Sequence, residues 1–121
     1  MKKKILIVED EPAIIELLHL ILVRAGYEVY TCQSGRDAIG MMKEIMPHLV
    51  ILDVMLPGLD GAGIIRIMNE DEILSNVPVI VSSALLESEQ MFTPYPQVKG
   101  FCAKPFVLKD FIAKVKNAIG D

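Results

Sequence analysis

Four short stretches of this sequence end in side chains able to do chemistry. Glu9 and Asp10 follow the apolar run Ile5–Val8, and Asp53 follows Leu49–Leu52. Ser82 and Ser83 follow Val79–Val81, and Lys104 closes "GFCAK". Three carboxylates brought together repel one another, and a divalent cation removes that cost. Carboxylate, carbonyl and water oxygens are the ligands of a hard cation, and a small protein ligand set that leaves room for waters suits Mg²⁺. A hydroxyl donates to one phosphoryl oxygen, and a lysine meets phosphate as a point charge. Acids, hydroxyl and ammonium together would hold a metal and a phosphoryl group, provided the fold brings them to one place.

The elements that must do so alternate along the chain. "KILIVED", "HLVILD" and "VPVIVSS" read as strands buried on both faces, because their apolar residues run without polar interruption. "YEVYTCQ" is flecked with polar residues and predicts an edge strand, and "GFCAK" a short fifth strand. Between them lie helical patterns. The first starts at Pro12, whose missing N–H is not needed at a first helical position, and stops at Gly26. A second is capped by Ser34 or its neighbour and ends before Pro47; a third opens at Asp60-Gly61 and reaches roughly Asn69. Phe106 to Ile119 closes the chain with Phe111, Val115, Ala118 and Ile119 on one face.

Strand–helix repetition implies an α/β fold: a doubly wound, five-stranded parallel sheet with the flavodoxin-like order 2-1-3-4-5. In such sheets the ligand crevice lies beyond the carboxyl ends of the strands, where strand order reverses. Here that is between the first and third strands, whose ends carry Glu9, Asp10 and Asp53. A helix expected between the fourth and fifth strands meets Pro94 and Pro96, which predicts a short or irregular fourth helix.

Length and composition narrow the function further. The 121 residues suit one domain, 1–121, and 52 % apolar content supports a real core. No apolar run approaches the roughly 18 residues of a membrane span. Met1-Lys2-Lys3-Lys4 is followed by too short an apolar run to serve as a signal peptide, so a cytoplasmic protein is expected. A net charge of −4 argues against direct nucleic-acid binding by this domain. Cys32 and Cys102 fall on opposite edge strands, four spacings of about 4.8 Å apart, too far for a disulfide. His19 and His48 fall on separate elements and are read as structural.

The residue set resembles a response-regulator receiver domain of two-component signalling, of the chemotaxis-receiver type, from Lys4 to Ile119. The resemblance rests on the acidic pair in "VEDEP", Asp53 in "LDVMLPGLDG", Ser83 in "VSSA" and Lys104 in "FCAKPF". It implies a signalling phosphoacceptor rather than an enzyme with a separate substrate. Asp53 would take a phosphoryl group from a sensor histidine kinase or phosphotransfer protein. Asp10, Asp53 and the backbone carbonyl of Met55 would bind Mg²⁺, with Glu9 helping through a water. Lys104 and Ser83 would hold phosphoryl oxygens, and Ser83 and Phe101 would be the switch residues. The output would be a partner or effector domain, or a phosphorylation-dependent dimer. Two features depart from the family pattern. The first acid is Glu where Asp is frequent, and the two prolines fall in the region that usually carries the signal.

Two rival uses of related architecture fit the residues less well. A flavin mononucleotide binder of this fold needs a donor-rich loop after the first strand, and "EDEP" would repel phosphate. A phosphatase of the haloacid-dehalogenase type also has an aspartyl nucleophile but places a second acid two residues on, where this chain has Met55.

Overall fold

Apolar runs of three or four residues, Ile5–Val8, Leu49–Leu52 and Val79–Val81, make the inner strands. The structure is a computed structural model that describes residues 2–53, 61–83, 96–103 and 107–120. Its elements run β1 (Lys4–Val8), α1 (Pro12–Arg24), β2 (Glu28–Cys32), α2 (Gly35–Ile45), β3 (Leu49–Asp53) and α3 (Gly61–Glu70). A 3-10 turn (Leu74–Asn76), β4 (Val79–Ser83), β5 (Val98–Ala103) and the C-terminal helix α4 (Leu108–Ile119) complete them. The five strands pair in the order β2-β1-β3-β4-β5, all parallel, as the alternation of strand and helix predicts.

Side chains alternate between the two faces of a strand, so each inner strand feeds two cores. Leu6, Val8, Val50, Leu52, Val79 and Val81 pack with Ala38 and Met42 of α2 and Ile64, Ile65 and Met68 of α3. On the other face, Ile5, Ile7, Leu49, Ile51 and Ile80 pack with Leu18 and Leu22 of α1 and Phe111 and Val115 of α4. Two helices per face is the doubly wound arrangement. The edge strand β2 has the mixed burial its polar residues demand, with Glu28 and Thr31 exposed.

The helix ends follow their sequence signals. Pro12 opens α1, and its C-terminus closes through Gly26 at φ 99°. There the Tyr27 N–H donates to Leu22 O at 3.1 Å and the Gly26 N–H to Val23 O at 3.0 Å. This pair of bonds satisfies the last carbonyls of the helix and turns the chain into β2. The Ser34 hydroxyl accepts from the Arg36 N–H at 3.2 Å and caps α2.

Several boundaries differ from the expected ones. Strand β5 begins at Val98 rather than Gly100, and its register with β4 shifts between Val79 and Ile80. Helix α4 is described from Leu108, and Phe106, the expected start, lies outside the described residues, as does 84–95 with Pro94. The 3-10 turn was not foreseen. It forms because Asp71 Oδ1 accepts from the Ile73 and Leu74 N–H groups at 2.9 and 3.0 Å. Gln97, buried at the start of β5, closes the same turn by donating from Nε2 to Leu74 O and Val77 O.

The two thiols are free and buried on opposite edge strands, and burial pushes the Cys102 thiol above its usual range. Among the described residues, no helix is long and apolar enough to cross a membrane.

Two predictions follow from the packing. Phe111 is 1 % exposed in the α1/α4 core. Phe111→Ala should cost about 3–5 kcal/mol of unfolding free energy with an unchanged denaturant slope, read by urea titration. The bonds from Ile73 and Leu74, with Lys43 a smaller influence, hold the Asp71 carboxyl below the usual carboxylate range. Its contribution is therefore present above the unfolded-state value and is lost as pH falls through the lower folded value. Asp71→Ala should lower the melting temperature at pH 7, and the difference from wild type should shrink towards pH 2.

Candidate metal and phosphoacceptor site

The reversal of strand order sets β1 beside β3, and the register aligns Val8 with Leu52. The residues one step further, Glu9 just after β1 and Asp53 at the end of β3, therefore stand next to each other at the carboxyl edge of the sheet. Asp53 is the last residue of the fully buried strand β3 and is itself only 5 % exposed. On its other side, Asp53 pairs in register with Ser82 of β4. Glu9 is 2 % exposed, and its N–H donates to Cys32 O at 3.0 Å, which extends the β1–β2 pairing by one residue. Asp10 is exposed and forms the open side of the cluster.

Each of Glu9, Asp10 and Asp53 offers a carboxylate oxygen, and the three oxygens lie within 4.8 Å of one another. Three anionic oxygens at that spacing suit a hard divalent cation, and the exposed side at Asp10 leaves room for the waters Mg²⁺ retains. The acidic cluster can hold a metal ion.

Of the other expected site residues, Phe101 lies on β5, half-buried against the α2/α3 core, and its carbonyl accepts from Lys114 Nζ of α4. Ser83 is the last residue of β4, paired in register with Ala103, which immediately precedes Lys104 in the chain. The side chain of Ser83, and Met55 and Lys104 altogether, lie outside the described residues. The histidines are apart from the site. His19 is exposed on α1, whereas His48 opens β3 at the end opposite Asp53. There His48 Nδ1 accepts from the Lys4 N–H at 2.9 Å, and the His48 N–H donates to Lys4 O at 2.8 Å.

Sequence reading did not find the fold-back of Glu9. Its Oε2 accepts from the N–H groups of Asp10 at 3.1 Å and Glu11 at 3.3 Å. The signal was present in the run Glu9-Asp10-Glu11-Pro12. A carboxylate three residues before the start of a helix has unbonded N–H groups within reach.

Comparison with known proteins agrees with this arrangement. The family model described as response regulator receiver domain matches residues 5–116. The chain is 35% identical over 119 residues to the Probable transcriptional regulator ycf27 of Porphyra purpurea, covering 98% of this chain and 48% of that protein. It is 30% identical over 117 residues to the DNA-binding response regulator MtrA of Mycolicibacterium smegmatis, covering 96% of this chain and 50% of that protein. The chain thus spans about half the length of both relatives. Among solved structures, it superimposes with a TM-score of 0.88, at 25% identity and full coverage of both chains, on the receiver domain of a sensor histidine kinase from Pseudomonas aeruginosa. That domain carries a magnesium ion coordinated in its active site cleft. With the strand order, the acid cluster at its reversal point and a family match over nearly its whole length, this chain belongs to the response regulator receiver domains of two-component systems.

Proposed function

We propose that Asp53 is the phosphoacceptor of this domain and that Mg²⁺ is bound beside it by Asp10, Asp53 and the Met55 carbonyl, with Glu9 in support. The observation that carries this reading is the 4.8 Å cluster of Glu9, Asp10 and Asp53 oxygens, with Asp53 at the end of a buried central strand. The donor partner is a sensor histidine kinase or a phosphotransfer protein. An Asp53 carboxylate oxygen attacks the phosphorus of its phosphohistidine. The new O–P bond forms as the N–P bond breaks, and the histidine nitrogen leaves with the electron pair. When bound, Mg²⁺ offsets the negative charge of the carboxylates and of the phosphoryl oxygens. Rigid placement of Asp53 in the sheet keeps the nucleophile from turning away, and effects of that kind are worth orders of magnitude in rate. Ser83 and Lys104 hold phosphoryl oxygens, and Ser83 and Phe101 pass the change to the β4–β5 side of the domain.

In this reading, the domain works in the cytoplasm and switches an effector domain, a separate target or a phosphorylation-dependent dimer. The names of the two longer relatives support an output in transcription, with DNA contacted by a part other than this acidic domain.

The assignment is tested with acetyl phosphate and Mg²⁺ followed by intact-mass measurement. The wild type should gain one phosphoryl group and Asp53→Asn none; a phosphorylated Asp53→Asn protein would remove Asp53 from the role. Asp10→Ala should weaken Mg²⁺ binding by roughly tenfold or more, about 1.4 kcal/mol. It should also raise the melting temperature of the metal-free protein, because one of three mutually repelling charges is gone. Thermal melts with and without Mg²⁺ read both effects, and an undiminished Mg²⁺-induced rise in Asp10→Ala would count against the site.

A further inference from the structure

The turn between β1 and α1 must place Asp10, and little of the usual helix-start machinery is available to it. The N-cap residue of α1, Glu11, makes no side-chain cap bond, and Pro12 has no N–H. The Glu11 carbonyl already accepts from the N–H groups of Ile14 and Ile15 at 3.1 and 3.0 Å. The N–H groups of Asp10 and Glu11 both go to one atom, Glu9 Oε2, at 3.1 and 3.3 Å. Glu9 is in turn fixed by burial and by the 3.0 Å bond from its N–H to Cys32 O. Its carboxylate thus ties three consecutive residues, 9 to 11, to the end of β1. Hydrogen bonds to an ionised acceptor are about twice as strong as neutral ones, and this one is out of water.

We propose that Glu9 acts on the metal site as a positioning residue: Oε2 holds the turn from β1 into α1 so that the exposed Asp10 carboxylate is aimed at Asp53. This rests on the reading of the cluster as a Mg²⁺ site. A carboxylate oxygen shared by two backbone N–H groups cannot swing out to follow a cation. Glu9 therefore sets where Asp10 meets the ion beside Asp53, and it supplies charge from a fixed place. The longer arm of Glu lets one residue reach back to its own following amides while its backbone stays paired with β2.

Glu9→Gln and Glu9→Ala separate this role from simple charge. The Gln carbonyl oxygen can still accept both bonds although the charge is lost, whereas Ala loses bonds and charge together. In the metal-free protein, the amide proton resonances of Asp10 and Glu11 should stay near their wild-type positions in Glu9→Gln and move upfield in Glu9→Ala. Mg²⁺ affinity, by calorimetric titration, should fall about tenfold less in Glu9→Gln than in Glu9→Ala, since residues that orient metal ligands are worth about 10–100-fold in affinity. Equal losses in the two variants, or unmoved Asp10 and Glu11 resonances in Glu9→Ala, would overturn the proposal. Glu9→Met, similar in length and without a strong acceptor, replaces Glu9→Ala if the latter does not fold. If the wild type binds no Mg²⁺, the metal reading fails by itself, and the metal-free resonances still decide whether Glu9 holds the turn.

Discussion

Everything at the site depends on how β1 and β3 lie against each other. Both strands are buried on both faces, and the register that aligns Val8 with Leu52 is held by two cores at once. A slip of one residue would exchange the faces of Ile5, Leu6, Ile7 and Val8 and pull a carboxylate into one of the cores. Core packing and acid placement are therefore one constraint. The apolar runs of β1 and β3 end where the acids of the cluster begin.

That constraint has an electrostatic cost, and the fold distributes it. Glu9 and Asp53 are almost wholly buried, while Asp10 remains open to solvent. Neighbouring dipoles compensate Glu9, since two amide N–H groups converge on its Oε2. The helix that begins immediately afterwards adds the positive end of its dipole to the same place. If the cluster binds Mg²⁺ as proposed, its carboxylates are already together before the cation arrives. In a charge-stabilised phosphoryl transfer that readiness counts, because nothing has to reorganise as the charge arrives.

Away from the crevice, polar side chains do local structural work. His48 doubles the link between β1 and β3 at the far end of the sheet, and Gln97 and Asp71 shape the turn that feeds β4. Lys114 satisfies the carbonyl of Phe101 on the edge strand β5, so the position expected to switch is tied to α4. These bonds tie strand ends to one another, to the 3-10 turn and to α4.

The sequence by itself determined the strand order, the two-sided burial of β1, β3 and β4, and the identity of the acids at the strand ends. Those features follow from local periodicity and from topological rules that few alternatives satisfy, so Ile5–Val8, Leu49–Leu52 and Val79–Val81 could be read directly. The place of Asp53 in the acidic cluster was legible because it interrupts an apolar run at a place this topology turns into a crevice. Tertiary structure alone decided the 4.8 Å approach of three carboxylates and their unequal burial, because these depend on register between strands more than forty residues apart in the chain. It also decided the fold-back of Glu9, the 3-10 turn at Asp71 and the register shift in β5. In each of these a side chain or an extra residue meets backbone groups whose availability is set only once the neighbouring elements are packed.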